Sequence, residues 1–144
     1  MTNPQTSWLF WAILSAVFAA LTAIFAKVGV EDINSDFATF FRTIVILLVL
    51  GGILFVTNQL QPLRSISAKS YGFLCLSGLA TGASWVCYFR ALKVGNASQV
   101  APIDKLSVVL VAVFGVAFLS EKLSLGNWLG IGFMSFGALL VAMK

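Results

Sequence analysis

The run FATFFRTIVILLVLGGILFVT, from Phe37 to Thr57, decides the fold class because Arg42 is its only charged residue. An apolar run of roughly 20 residues is as long as an α-helix needs to cross the hydrocarbon core of a membrane. No water is available there to bond the backbone, which favours a helix that satisfies its own peptide groups. The run also lacks the apolar and polar alternation of a barrel strand. It therefore predicts a transmembrane helix.

Four further runs of the same kind follow or precede it, and the whole chain has the composition of a membrane protein. It is 60% hydrophobic and 10% charged, whereas soluble domains carry about 25% charged residues. Short connections make consecutive helices antiparallel neighbours. We therefore predict an all-α integral membrane protein, with five transmembrane helices in one compact bundle and a single domain over residues 1–144. The predicted helices cover residues 8–28, 37–57, 71–92, 99–119 and 125–143.

The first run could be mistaken for a signal peptide. No Lys or Arg precedes Lys27, the apolar stretch is too long for the central region of a signal, and no small-residue cleavage site is evident. We expect this helix to be retained.

The residue types that are missing exclude several functions. With no His and only two Cys, the chain lacks ligands for an ordinary zinc site and members for a His-dependent triad. No nucleophile is paired with a base, so we expect no enzyme activity, no catalytic residue, no metal and no cofactor. The net charge of +4 comes from Lys and Arg spread along the chain. These residues are typical of membrane-flanking charges, and we expect no nucleic acid partner.

Flanking charges leave the orientation of the five spans open. An odd number of spans puts the termini on opposite faces, and Lys and Arg in short loops normally set the orientation. One reading is a single orientation with the N-terminus weakly favoured outside. The other is dual topology, in which inverted copies pair and recreate the inverted repeat of many transporters. The cations are nearly balanced: Arg64, Lys69 and Lys122 on one face, and Lys27, Arg90, Lys93 and Lys144 on the other.

Charged residues inside the apolar runs are costly and require a reason. Arg42 lies about a turn and a half inside the second predicted helix, and Asp104 and Lys105 lie at similar depth in the fourth, close to Pro102. Insertion of such a residue at mid-span costs about 2.5–3.5 kcal/mol. Arg42 and Asp104 start from the same membrane face, so an internal ion pair or snorkelling to the headgroups is one interpretation. The other is that Arg42 or Asp104 recognises a charged substrate or couples transport to a proton.

The third predicted helix carries a polar and aromatic stripe. Ser77, Thr81, Ser84 and Tyr88 recur at helical spacing, with Trp85 alongside. Hydroxyls supply hydrogen bonds, and flat aromatic rings can attract a cation, so the stripe suits a pocket for an organic molecule. The alternative is helix packing with hydroxyls bonded to their own backbone, which we prefer for Ser77. Candidate substrate-binding residues are Thr81, Ser84, Trp85 and Tyr88.

Glycines mark the fifth predicted helix as a packing surface. Gly126 and Gly130 form a GxxxG pair, and Gly137 follows. Small residues at this spacing let helices approach closely, although such pairs also arise by chance in Gly-rich spans. We predict that Gly126, Gly130 and Gly137 form a packing or dimer surface.

Several short stretches together resemble one known family. They are Tyr88–Ser98 (YFRALKVGNAS), Ala101–Ile103 (API), Ser120–Leu123 (SEKL) and the Gly-rich last helix. In this order they resemble an EamA-type domain of the drug/metabolite transporter superfamily, and Arg42 in FFR looks like an Arg near the start of that domain's second helix. Typical members have ten helices made of two such domains in inverted orientation. This chain resembles a single domain, as in the five-helix bacterial and archaeal branch.

The resemblance implies a function and a working assembly. It implies a small transporter subunit in the plasma membrane of a prokaryote, moving a metabolite or drug-like molecule by alternating access as an antiparallel homodimer. Arg42, Tyr88 and Glu121 match family positions, with Glu121 at a helix end and more plausibly structural. Related four-helix exporters carry a Glu in the first helix, whereas no acidic residue here precedes Glu31. This departure either argues against proton-coupled export of cationic drugs or moves the proton site to Asp104. The alternative function is a non-transporting partner of a larger membrane complex.

Overall fold

A computed structural model describes residues 4–143, with side chains for residues 8–62 and 64–143. The prediction of an all-α membrane protein is confirmed: these residues form helices and no strand, and five helical stretches are long and apolar enough to cross a membrane. The helices are α1 (Pro4–Gly29), α2 (Ser35–Val56), α3 (Ala68–Val94), α4 (Ala97–Asp104), α5 (Ser107–Leu119) and α6 (Leu125–Ala142), with a 3₁₀ turn at Leu63–Ser65.

The fourth span departs from the sequence prediction, which drew one unbroken helix over residues 99–119. The structure interrupts it at Lys105 and Leu106, between α4 and α5. The N–H of Leu106 donates to the Ile103 carbonyl, and the N–H of Val108 to the Lys105 carbonyl, each at 3.0 Å. These bonds reach back three residues instead of four, which tightens the helix into a 3₁₀ form. Pro102, with no N–H of its own, lies inside α4 just before the interruption.

The helices group into two compact units. The α2–α3 unit comprises Val28–Lys93, and the terminal unit joins the residues up to Lys27 to those from Val94 onward.

In the α2–α3 unit, the short loop before α2 is tied to the last turn of α3. The Lys93 ammonium donates to three backbone carbonyls, those of Val30 at 2.7 Å, Ile33 at 3.0 Å and Glu31. The side chains of Val30, which accepts one of these bonds, and of Leu92, which precedes Lys93, are both fully buried. Carbonyls in a loop have no helical donor, so an ammonium with three N–H groups satisfies several of them at once. The loop conformation is therefore fixed by a side chain of α3.

In the terminal unit, α6 packs against α4 and contacts α5. The Lys27 ammonium donates to the Gly95 carbonyl at 3.0 Å, which ties the end of α1 to the segment that precedes α4. Ser124 caps α6, because its hydroxyl accepts from the Asn127 N–H.

Large apolar side chains face outward along the helices. Phe55 and Phe133 are each 74% exposed, while the buried residues are mostly small, such as Ala23 and Ala112. A soluble protein would bury such rings, so this distribution suits helices surrounded by lipid. The chain is a multi-pass integral membrane protein.

Candidate functional site

Arg42 is positioned by the start of α2. The Asn34 side chain caps this helix, accepting from the N–H groups of Asp36 at 2.9 Å and Phe37 at 3.1 Å. From this fixed start the helix carries Arg42 about two turns along its axis. The side chain is partly buried. Arg42 is the only Lys or Arg between Lys27 and Arg64 in the sequence.

The Arg42 guanidinium lies on aromatic rings of α3. Its Cζ atom is 4.3 Å from the centre of the Trp85 ring and 5.5 Å from the centre of the Phe89 ring. Trp85 and Phe89 are four residues apart and so share one face of α3. Phe89 is 3% exposed, and Trp85 is partly buried. The ring faces stabilise the cation by cation–π attraction, which strengthens where water is excluded.

A second contact between the same two helices sets the register of this stack. Arg90 donates to Asp36 through two bonds, Nε to Oδ1 at 2.8 Å and Nη2 to Oδ2 at 2.6 Å. Arg42 lies six residues beyond Asp36, and Trp85 lies five residues before Arg90. These steps correspond to rises of about 9 and 7.5 Å along antiparallel helices. The fork at the helix ends therefore aligns Arg42 with Trp85.

The other predicted residues of the stripe lie near this stack on α3. Tyr88 is partly buried and Ser84 is exposed. The Thr81 hydroxyl donates to the Ser77 carbonyl at 2.9 Å, one turn earlier in the same helix. That bond uses the donor of Thr81 and leaves its oxygen as an acceptor. The substrate-binding roles of Thr81, Ser84, Trp85 and Tyr88 stay predictions.

Asp104 lies at the last residue of α4, directly before the interruption of the fourth span. Its carboxylate accepts from the adjacent Lys105 ammonium at 3.3 Å, and the Lys105 side chain is exposed. Neighbouring residues of a regular helix point about 100° apart. Here Lys105 already lies outside α4, and the two side chains meet. The predicted pairing of Asp104 with Arg42 stays a prediction.

Glu121 occupies a structural position at the end of α5. Ser120 adopts the left-handed conformation, with φ of 56°, and the Glu121 N–H donates to the Gly115 carbonyl at 3.1 Å. This is a common way to end a helix, because it satisfies a carbonyl that the next turn would have bonded. The carboxylate then folds over Gly115: a Cβ atom at that position would lie 2.7 Å from Glu121 Oε2.

The predicted packing glycines of α6 face open space within the described part of the chain. A Cβ atom at Gly130 or Gly137 would meet no described atom within 4 Å, and one at Gly126 would meet only the capping Ser124 hydroxyl at 3.6 Å. The structure therefore leaves room for a Cβ atom at Gly130 and at Gly137, and the role of the three glycines as a packing or dimer surface stays a prediction.

Sequence reasoning missed the roles of four residues that build this site. Phe89 was assigned only to an apolar helix, Arg90 and Lys93 were assigned to the flanking charges, and Asp36 was given no role. The available signal was the pairing of opposite charges at the adjoining ends of two predicted neighbours, Asp36 at the start of α2 and Arg90 near the end of α3. Their two-bond geometry depends on the rotation of both helices, which hydropathy does not report.

Comparison with known proteins identifies similar chains. The model of the EamA-like transporter family matches residues 6–143. A protein of a Sinorhizobium species named "Uncharacterized transporter in cobO 3'region" is 64% identical over 137 residues, which cover 95% of this chain and 97% of that protein. No solved structure matches the chain significantly.

A second relative is named for a function. It is the probable 4-amino-4-deoxy-L-arabinose-phosphoundecaprenol flippase subunit ArnE of Hamiltonella defensa, 33% identical over 69 residues. The match covers 48% of this chain and 62% of that protein. Both relatives come from bacteria, which places a multi-pass protein of this family in the inner membrane.

Proposed function

The chain belongs to the EamA-like transporter family, and from this premise we propose that it forms one half of a small-molecule transport path and works as an antiparallel homodimer. The observation that carries the proposal is the Arg42 guanidinium held on the Trp85 ring, inside a span with no other charged residue from Phe37 to Val56. A partly buried charge at this depth is a costly feature of a membrane helix and marks a functional site by default. Membership of this family makes the chain a membrane transporter.

The number of spans supports a paired assembly. Five spans place the two ends of the chain on opposite faces, so an inverted second copy produces the inverted repeat on which many transporters are built. The open glycine face of α6, with Gly130 and Gly137, offers close helix approach to that copy. The proposal treats residues 1–144 as one domain, which is supported by a family match that runs through both units.

Alternating access needs both a rigid element and a deformable one. The fork between Asp36 and Arg90 and the bonds of Lys93 hold the α2–α3 unit together at one end. The interruption between α4 and α5 has lost regular helical bonding, so the fourth span can bend there at low cost. In this mechanism, substrate contacts Ser84, Trp85 and Tyr88, with Thr81 one turn away. Arg42 recognises charge, and Asp104 at the interruption recognises charge or couples transport to a proton.

Topology decides the assembly and can be measured with single cysteines. In a background of Cys75→Ser and Cys87→Ser, Asn58→Cys and Asn96→Cys report on the two faces of the membrane. A membrane-impermeant maleimide applied to intact cells labels both sites to about half in an antiparallel population. Complete labelling of one site and none of the other would refute the antiparallel homodimer.

Transport itself is tested in vesicles that contain the purified protein. Vesicles are incubated with a bacterial metabolite extract, and the internal contents are identified by mass spectrometry. The compounds accumulated by the wild type should fall at least about tenfold with Trp85→Ala and with Tyr88→Ala, equivalent to about 1.4 kcal/mol. Trp11→Ala, near the N-terminal end of α1, is the matched control. Normal accumulation by both site variants excludes this pocket.

A second candidate function is an accessory subunit of a heteromeric transporter. It is favoured by the relative from Hamiltonella defensa, which is named as a flippase subunit. In that case a different membrane protein takes the place of the inverted copy. A single orientation in the cysteine experiment, together with a second chain that remains bound during purification, supports this candidate over the homodimer.

A further inference from the structure

We infer that the Arg42–Trp85 site binds an anionic group, a phosphate or a carboxylate, and that the transported substrate carries this group. The inference rests on the proposed transport function and names the class of substrate for the same site. The sequence left open an apolar or a cationic part of the substrate at the rings of α3, and the inference departs from the cationic alternative because the rings already contact a cation of the protein.

The aromatic faces of α3 are already in contact with a cation of the protein. Arg42 lies 4.3 Å from the centre of the Trp85 ring and 5.5 Å from that of Phe89. A substrate cation at the same faces would have to displace the guanidinium and would meet its positive charge at close range. A like charge is repelled most strongly where the medium is apolar. The site therefore disfavours the cationic substrates that its aromatic residues alone would suggest.

The ring contacts leave N–H donors of the guanidinium available, because no described side chain or carbonyl accepts a hydrogen bond from Arg42. The guanidinium carries five N–H donors in one plane, in a fork that fits two oxygens of a phosphate or carboxylate. Within the described residues of the α2–α3 unit, the one ion pair is that of Asp36 with Arg90. Arg42 is only partly buried, so a ligand can reach its edge. An anion would supply the counter-charge that Arg42 lacks in its own unit.

The surroundings fit the remainder of such a substrate. Ser84 is exposed on α3, next to Trp85, and Tyr88 lies one turn along the same helix. The Ser84 hydroxyl can bond a further oxygen of the anion or a polar group beside it. The exposed apolar side chains of α2, including Phe41 and Val45, offer a surface for an apolar part. The substrate predicted by this geometry is an amphipathic anion.

Trp85 itself can report binding in the full-length protein. Trp8→Phe, Trp11→Phe and Trp128→Phe leave Trp85 as the single tryptophan. The protein is reconstituted in phosphatidylcholine vesicles and titrated with phenyl phosphate or with phenyltrimethylammonium, two ligands with the same ring and opposite charge. A third arm replaces part of the phosphatidylcholine by phosphatidylglycerol. The soluble arm identifies a free anion as the ligand, and the lipid arm identifies a headgroup.

We expect a saturable change in Trp85 emission with at least one anionic arm and none with the cation. Arg42→Gln should weaken the anion response at least about tenfold, because a hydrogen-bonded charged partner is lost. Arg42→Lys keeps the positive charge but loses the paired N–H donors of the guanidinium. Its anion response should lie between those of the wild type and Arg42→Gln. Arg64→Gln, in the loop before α3, is the control and should bind as the wild type does. If the protein with Arg42 intact binds phenyltrimethylammonium more tightly than phenyl phosphate, the inference is wrong. This comparison does not depend on whether an Arg42 variant folds.

Failure of the inference and failure of the transport proposal give different results. Anion binding that depends on Arg42, in a protein that accumulates nothing in vesicles, supports this site and removes the transport function. Accumulation that depends on Trp85, with anion binding unchanged by Arg42→Gln, keeps the transport function and overturns the substrate class.

Discussion

Asp36 and Arg90 form a two-bond fork between the first turn of α2 and the last turns of α3, with oxygen to nitrogen distances of 2.8 and 2.6 Å. Both side chains are well exposed, at 48% and 62%. An exposed ion pair contributes little to stability by itself. Its main consequence here is alignment, since the same helices bring Arg42 onto Trp85 less than two turns further in.

Removal of the fork should therefore affect the site more than the fold. We expect Asp36→Asn to lower the midpoint of thermal unfolding only slightly and to reduce transport several-fold, because the bidentate contact that sets the register is lost. Thermal unfolding and vesicle uptake measure the two effects. The exchange variant Asp36→Arg with Arg90→Asp should recover part of the uptake. An equal fall in stability and uptake, with no recovery in the exchange variant, would assign the pair to general stability.

The loop that precedes α2 should lose its fixed conformation when Lys93 is replaced. Lys93→Met removes the donors to the carbonyls of Val30, Glu31 and Ile33, and each hydrogen bond to a charged group contributes about 1.5–3 kcal/mol. We expect backbone amides of residues 30–37 to exchange hydrogen at least about tenfold faster, measured by mass spectrometry of peptides. Lys69→Met, at the opposite end of α3, is the control. Unchanged exchange in the loop would show that other contacts hold it.

Gly115 should accept a methyl group only when Glu121 moves. A Cβ atom would lie 2.7 Å from Glu121 Oε2, and crowding of this kind costs about 1–3 kcal/mol in a packed site, less where a flexible side chain can rotate away. We expect Gly115→Ala to lower the unfolding midpoint in the wild type and to have no such effect in a Glu121→Ala background. Gly51→Ala, on α2 with open space around it, is the control. The same destabilisation in both backgrounds contradicts a contact between these two residues.

Substitutions on the glycine face of α6 should weaken dimerisation without unfolding the chain. Gly130→Leu and Gly137→Leu add large side chains at positions where a Cβ atom would meet no described atom within 4 Å, so we expect each copy to fold as before. We expect a shift from dimer to monomer, because bulky side chains prevent close helix approach. Cross-linking in vesicles measures the shift, and Gly51→Leu on α2 is the matched control. A dimer population equal to that of the wild type would place the interface elsewhere.

The hydropathy of the sequence was sufficient to predict the membrane spans, but it did not predict where a helix is interrupted within a span. The apolar run around Arg42 had to form a helix because hydrocarbon offers the backbone no other partner. Pro102 was visible as a helix-disrupting residue, but the interruption falls after it, where Leu106 and Val108 donate three residues back. The position of the interruption depends on the local backbone geometry, which the apolar pattern of a whole span does not determine.

The candidate site was predictable as a set of residue types but not as an arrangement. Arg42 and Trp85 were each identified, one as an internal charge and the other as a ring for a substrate. Their contact depends on the register of α2 and α3, which the fork of Asp36 and Arg90 sets. A charged residue and an aromatic residue on different helices carry no sequence signal of mutual contact. For this reason the pattern left an apolar or a cationic ligand part open at the rings, whereas the inference drawn from the contact is an anion.

The interruption of the fourth span also changes the membrane around it. The carbonyls of Pro102 and Asp104 lose the N–H groups that a regular helix would supply four residues ahead. Such groups are stable at membrane depth only against protein or against water. They lie roughly 8–10 Å along the span from Ala97, at 1.5 Å per residue. Where neither α6 nor a second chain covers them, water must reach that depth. The insulating layer that an ion has to cross is then thinnest beside α4.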